Sequence, residues 1–519
     1  GAFVSDDYLY IIANSYVHEL SWANLLEILN PWGGPALDTA NYAPVHLLAH
    51  AVEIALFGNR TFGFHVVNVL LHALCSLLLT LSLRRHAGSE AAAIVGGAFF
   101  LLHPANVEAV AWIFQLKTIL ALLFSMGALL LLWRRPLAAT GLFALALLSK
   151  TSAFYAIPVA AYLAWSDAEA RGAQAKWRWI GVWVALFLLY AVPQFFTFER
   201  TGEFGMGIGG GGWVAVRTIA AIGARYLVMA ATSLGVSAFQ DPEPARSWLD
   251  PWWLGALAIG ALLTWRVVVT FRRRSPEAAF WVWAVASWAP ICQIFPFLYP
   301  MADRYLYFIL PGLIGGVTAA GVDAWPRLRS WLQARGVRAP EDRPIARVGL
   351  AVALALCLVF GQLSTGRARI WESELTLLMD AASHYPNGLQ ASLLAARKAA
   401  RQGDVDGTVA ALRRAMLRGF DRFQVLLMDP VLNTVREAPA FEALLHDVAG
   451  VWLEGSLAKA GSATAADLRN RGQAHLVRGE YRQAIQNYET ALRLGSAEEK
   501  AIRIELARAR LKLRIEERD

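Results

Sequence analysis

The chain has 519 residues, of which 56% are hydrophobic and only 17% charged, with a formal net charge of +8. Soluble globular chains carry about a quarter charged residues, so an ordinary water-soluble enzyme is excluded as a description of the whole. The basic excess is nearly all arginine in short loops between apolar runs, which marks cytoplasmic loops of a membrane protein and argues against nucleic acid as a partner.

The chain opens at Gly1 without a basic leader and reads as the continuation of a longer sequence. Residues 1–60 hold an acidic loop with Asp6 and Asp7, then APVHLLAHAVEIALFG (43–58). There His46, His50 and Glu53 recur at helical spacing and predict an amphipathic helix lying near the membrane interface. A spanning helix needs about 20 mostly apolar residues. Candidate runs are 61–83, 91–103 continuing into 106–114, 116–133, 137–165 (two short passes or one broken hairpin), 178–198, 251–271, 278–297, 303–322 and 345–365. Basic clusters at Arg84 to His86, Arg134-Arg135, Arg171 to Arg178, Arg272 to Arg274 and Arg327 to Arg347 are all assigned to the cytoplasm.

Residues 213–238 are apolar enough for another pass, but one more crossing would put Arg272 to Arg274 outside. The segment is therefore read as re-entrant, interfacial or a pair of half-helices, with a plain span as the alternative. Arg217 and Arg225 within it fit a helix that touches polar groups. GIGGGG (207–212) lacks the following Lys-Ser/Thr of a phosphate loop and reads as a linker. Cys75, Cys292 and Cys357 lie in separate apolar runs, without metal-ligand spacing, and read as packing residues.

Beyond 365 the sequence becomes ordinary soluble helix pattern. Over 465–498, Leu468, Gly472, Gly479, Tyr481, Ala484, Tyr488 and Ala491 stand where a tetratricopeptide repeat needs small residues and aromatics. A degenerate copy surrounds Gly403, Val405, Ala411, Leu412 and Ala415, and 497–515 suggests a capping helix. The expected fold is all-α: a polytopic membrane helical bundle over 61–365, then a soluble helical-repeat domain over 366–519 on the exoplasmic side.

Three constellations fall on that same exoplasmic face. Asp6-Asp7 supplies a general base or, alternatively, holds a divalent cation; a solvated loop or helix cap is the plain reading. HPANVEAVAW (103–112) brings His103 and Glu108 behind a helix-breaking proline, where a capped helix start is equally consistent. Asp303-Arg304-Tyr305-Leu306-Tyr307 offers an arginine that can fork onto phosphate, unless Asp303 and Arg304 simply pair with each other. Lys150, between two apolar runs, is a second phosphate partner or a lysine reaching the interface. Acids and cations converging beside lipid suit a phosphorylated lipid substrate.

In this order, the acidic pair, HPANVEAVAW, LLSKT (147–151), Phe-Pro followed by DRYLY, Arg367 to Trp371 and the repeat resemble the transmembrane and tetratricopeptide-repeat protein O-mannosyltransferases. More broadly they resemble the GT-C fold glycosyltransferases that use polyprenyl-phosphate sugars. The resemblance implies inverting transfer of a sugar from a polyprenyl phosphate to a hydroxyl acceptor outside the cytoplasm. Asp6 or Asp7 would be the base, His103 and Glu108 would line the cavity, and Lys150 and Arg304 would bind the donor phosphate. Asp303, Tyr305 and Arg225 are additional candidates. The repeats would present the acceptor protein or dock a partner. Members of that family have a spanning helix before the acidic pair, and here five residues precede it, so a preceding helix is expected. The arginine-rich, lysine-poor usage fits a bacterial inner membrane with an undecaprenyl donor and the repeat domain in the periplasm. The alternative is a non-catalytic, transferase-like membrane scaffold whose repeats assemble a larger complex. A lipid transporter is disfavoured, because neither inverted repeats nor mid-membrane charges are visible.

Overall fold

The computed structural model describes all residues except 87, 168–172, 202–210, 294–298, 336–341, 458–462, 496–498 and 519. Every described element is helical. Contacts divide the chain into Gly1–Asp380 and Ala381–Asp519. Residues 366–380, which the sequence assigns to the soluble part, pack into the first unit: Trp371 stacks on Trp112 at 5.3 Å, and Arg367 pairs with Asp380 at 2.6 Å.

Among the described residues seven helices are long and apolar enough to cross a membrane, or eight if the bent pair Glu90–Leu102 and Pro104–Ala111 counts as one. The 49° bend falls at His103-Pro104, where proline withdraws a donor from the helix ladder. Pro251–Arg272 and Gly349–Ile370 bury only 6% of their apolar windows. Such continuous apolar faces belong against lipid, and the first unit is an integral membrane bundle.

The expected 137–165 region is a hairpin of Pro136–Leu147 and Ala156–Ser166, turning through Ser149 and Lys150 into a short helical turn, Thr151–Tyr155. The expected span at 278–297 is a shorter helix, Pro276–Trp288, interrupted by Ala289-Pro290. Its neighbour Asp303–Ala334 is longer than expected, at 32 residues. These two pack closely because Gly312, Gly315 and Gly316 face Phe280, Trp281 and Ala284. A Cβ on Gly312 would stand 2.5 Å from the Ala284 backbone nitrogen, so small residues set this contact.

Residues 213–238 do not form two half-helices. Gly212–Thr232 is one continuous helix, ended by left-handed Ser233 (φ 61°). It meets Trp252, Trp288, Ala302 and His103, and by length and apolarity it is one of the seven candidate spans, as the plain-span alternative expects. The glycine run at 207–212 and the Phe-Pro before Tyr299 fall largely outside the described residues.

The helix Pro44–Phe57 corrects another expectation. His46, His50 and Glu53 share a face, but that face is buried, while Val52 and Leu56 are exposed. The helix is amphipathic with its polar side turned inward.

The second unit is built from helical hairpins. Leu389–Arg401 and Val405–Leu417 meet across Ala396, Ala400, Ala411 and Ala415. Ala465–Val477 and Tyr481–Leu494 meet where Gly472 lies under the Tyr488 ring, a Cβ there coming within 2.6 Å of the ring edge. Gly403 and Gly479 make the turns at φ 70° and 75°, where a side chain would be strained. Glu499–Glu516 closes the second hairpin through Ile502, Leu506 and Ala509.

Candidate functional site

Asp6 and Asp7 are neighbours in sequence with different surroundings. Asp7 is fully buried. Its Oδ2 accepts from the Val4 amide at 2.9 Å, and its Oδ1 accepts from the Phe114 amide at 2.7 Å. It thus fastens the N-terminal segment to the turn Ile113–Gln115. Burial pushes its carboxyl up to about 7; the two amides oppose this and the Asp6 charge adds to it. The Asp6 carboxylate is half-buried and, among the described residues, takes no hydrogen bond. Tyr10 completes the anchor, its ring 4.2 Å from that of Phe114 and its hydroxyl donating to the Thr39 carbonyl.

Cations gather next to this anchor. Lys117, one turn beyond Phe114, is buried with Nζ 3.8 Å from the Phe114 ring centre and 5.2 Å from that of Tyr10. Lys150 Nζ donates to Thr118 Oγ1 at 2.8 Å. Burial lowers the pKa of Lys150 well below the usual lysine range; Lys117 and Arg304 push it the same way and Glu108 opposes them. Arg304 reaches Glu108 twice, Nη1 donating to Oε1 at 2.5 Å and the backbone amide to Oε2 at 2.7 Å. Its guanidinium also lies 5.1 Å from the ring centres of Tyr299 and half-buried Tyr305. Burying one charge is costly unless it is paired; here Lys117, Lys150 and Arg304 share one field with Glu108.

Three residues named from sequence turn elsewhere. His103 uses both ring nitrogens on backbone: Nε2 donates to the Ala230 carbonyl at 3.1 Å, and Nδ1 accepts from the Ala105 amide at 3.2 Å. Asp303 does not pair with Arg304. It accepts from the Ser237 amide at 3.0 Å and Gln240 Nε2 at 2.6 Å, because consecutive residues at a helix start point to different sides. Arg225 sits 4.4 Å over the Trp252 ring.

Two site residues escape sequence reasoning. Lys117 was legible as a lone charge in an apolar run, which is a functional signal in a membrane chain. His46 packs beside Tyr10 (5.8 Å) and Phe114 (5.6 Å), fully buried, with both ring nitrogens unpaired, while its neighbour His50 bonds Glu53 at 2.7 Å. Burial first, then electrostatic interaction with His50 and Lys117, lowers the pKa of His46 well below the usual histidine range. Among the described residues no group of three or more His, Cys, Asp or Glu is placed to hold a metal ion.

The chain is similar to protein O-mannosyl-transferases. It is 35% identical over 113 residues to protein O-mannosyl-transferase Tmtc1 of Drosophila melanogaster, covering 21% of this chain and 13% of that protein. It is 34% identical over 137 residues to protein O-mannosyl-transferase TMTC1 of Mus musculus, covering 25% and 14%. Against Drosophila melanogaster Tmtc2 the identity is 32% over 118 residues, covering 21% and 12%. The matched segment thus spans about one eighth to one seventh of the length of these relatives. No family model and no solved structure matches the chain.

Proposed function

We propose that the chain is a membrane glycosyltransferase that moves a sugar from a polyprenyl-phosphate donor to a hydroxyl group of a protein, on the exoplasmic face. The observation that carries this reading is the division of labour in the acidic pair. Asp7 is the buried anchor, Asp6 beside it takes no hydrogen bond among the described residues, and Lys117 lies against the ring of Phe114, whose amide Asp7 holds. The similarity to protein O-mannosyl-transferases supports the same reaction class.

In the proposed step the acceptor hydroxyl oxygen attacks the anomeric carbon of the sugar and gives its proton to Asp6. The new carbon–oxygen bond forms on the face opposite the phosphate, so the configuration inverts. The bond from the anomeric carbon to the phosphate oxygen breaks, and its electron pair leaves on the lipid phosphate. Lys117, Lys150 and Arg304 stabilise that growing negative charge, the kind of contribution that is usually largest in such sites. The hairpins of the second unit are read as tetratricopeptide-type repeats that handle the acceptor protein. An undecaprenyl donor and a periplasmic second unit in a bacterial inner membrane follow from the same reading.

A second reading has an observation of its own. Asp7 spends both oxygens on backbone amides and Arg304 is held by Glu108, as in a purely structural network. A transferase-like scaffold would be built this way. The full chain in lipid nanodiscs, given a radiolabelled sugar on polyprenyl phosphate and a protein acceptor, separates the two. The transferase reading expects label on the protein with equal release of polyprenyl phosphate. A folded chain that never labels any acceptor, yet co-purifies with a stoichiometric partner, supports the scaffold.

A further inference from the structure

At the end of the bundle opposite Asp7, a cleft of about 330 Å³ opens between four helix ends. Its volume falls in the range of small-molecule sites, about 300–1,000 Å³. Arg85, His86 and Arg274 stand among its lining residues, and Met126, Leu130, Phe280 and Trp283 are among its apolar ones. Arg85 leans on the Leu130 carbonyl at 3.3 Å, and Arg274 lies 4.9 Å over the Trp165 ring. Both arginines are exposed, and among the described residues neither has an acidic partner. The carboxylate on the rim, Asp167, is already paired with Lys176 at 2.5 Å. A concave site with two uncompensated guanidinium groups and an apolar interior fits one class of occupant: an anion carrying a hydrocarbon chain.

We propose that this cleft holds one anionic phospholipid, its phosphate between Arg85 and Arg274 and one acyl chain along Met126, Leu130 and Phe280. The proposal is independent of the sugar-transfer reading, because none of these residues belongs to that site. Basic pockets between spanning helices bind anionic headgroups. Arginine also matches phosphate geometry through two parallel hydrogen bonds.

The test is native mass spectrometry of the delipidated full chain with dioleoylphosphatidylglycerol, dioleoylphosphatidylcholine or inorganic phosphate added. The expected result is one retained phosphatidylglycerol, little phosphatidylcholine, and about tenfold or greater loss of retention in the Arg85→Gln/Arg274→Gln variant. Arg134→Gln/Arg135→Gln, which removes two charges from the same end but outside the cleft, should retain the lipid. Equal retention of both lipids, equal loss in both variants, or displacement of the lipid by inorganic phosphate would each overturn the proposal; the last assigns the cleft to free phosphate. Should the first variant unfold, wild-type protein still decides. Added salt must weaken phosphatidylglycerol retention and leave phosphatidylcholine unchanged, and salt-insensitive retention overturns it.

Discussion

Asp7 is fully buried, and its carboxyl titrates near 7 because burial penalises the charge more than the Val4 and Phe114 amides favour it. The folded chain binds this proton more tightly than the unfolded chain, whose carboxyl titrates near 3.8. The stability it contributes is full below that value and is lost as pH rises to about 7. Thermal unfolding between those two pH values should therefore show a decline with pH, and Asp7→Asn should remove that component; an unchanged slope contradicts the burial argument. Glu108→Gln leaves Arg304 charged and unpartnered by a carboxylate in a mostly buried place. It should cost about 3 kcal/mol, read as a lowered unfolding midpoint in detergent. The sequence presents Asp6 and Asp7 as equals, and only the register of the Val4 to Tyr10 turn tells them apart. Lys117 was visible but unremarked, because its neighbours in sequence, Leu116 and Thr118, say nothing of Tyr10 arriving from 107 residues away.

At the scale of elements, hydropathy located nearly every helix of the bundle, since lipid demands long apolar runs and the chain has few other uses for them. It did not fix which way a face turns. The spacing of His46, His50 and Glu53 marks one side of Pro44–Phe57, yet periodicity is silent on whether that side meets water or protein. Here it meets Phe114 and Tyr10. Glycines carry similar hidden information. Gly312 and Gly321 lie on the same helix, but a Cβ on the first meets the backbone of Ala284 at 2.5 Å, and on the second meets nothing within 4 Å. Gly312→Leu should force the helices apart and destabilise the bundle by about 3 kcal/mol or more, whereas Gly321→Leu should be tolerated. Comparable losses in both, by unfolding in detergent, would refute the close-approach explanation. In the second unit Gly472 and Tyr488, both marked in the sequence as small and aromatic seam positions, lie against each other, a contact that only the structure shows.

Over the whole molecule, arginine gathers at the end that holds the cleft of Arg85 and Arg274, and the acid and lysine site gathers at the other. Loop charge predicts the first end cytoplasmic. A single cysteine at Arg134 should stay unlabelled by a membrane-impermeant thiol reagent in intact cells, and one at Glu454 should label; the reverse pattern would invert the orientation. The proposed transfer depends on one carboxylate, that of Asp6. In nanodiscs, with polyprenyl-phosphate sugar and a protein acceptor, Asp6→Asn should lower the transfer rate about a hundredfold or more while its unfolding midpoint stays at the wild-type value. Full transfer by folded Asp6→Asn protein would contradict it.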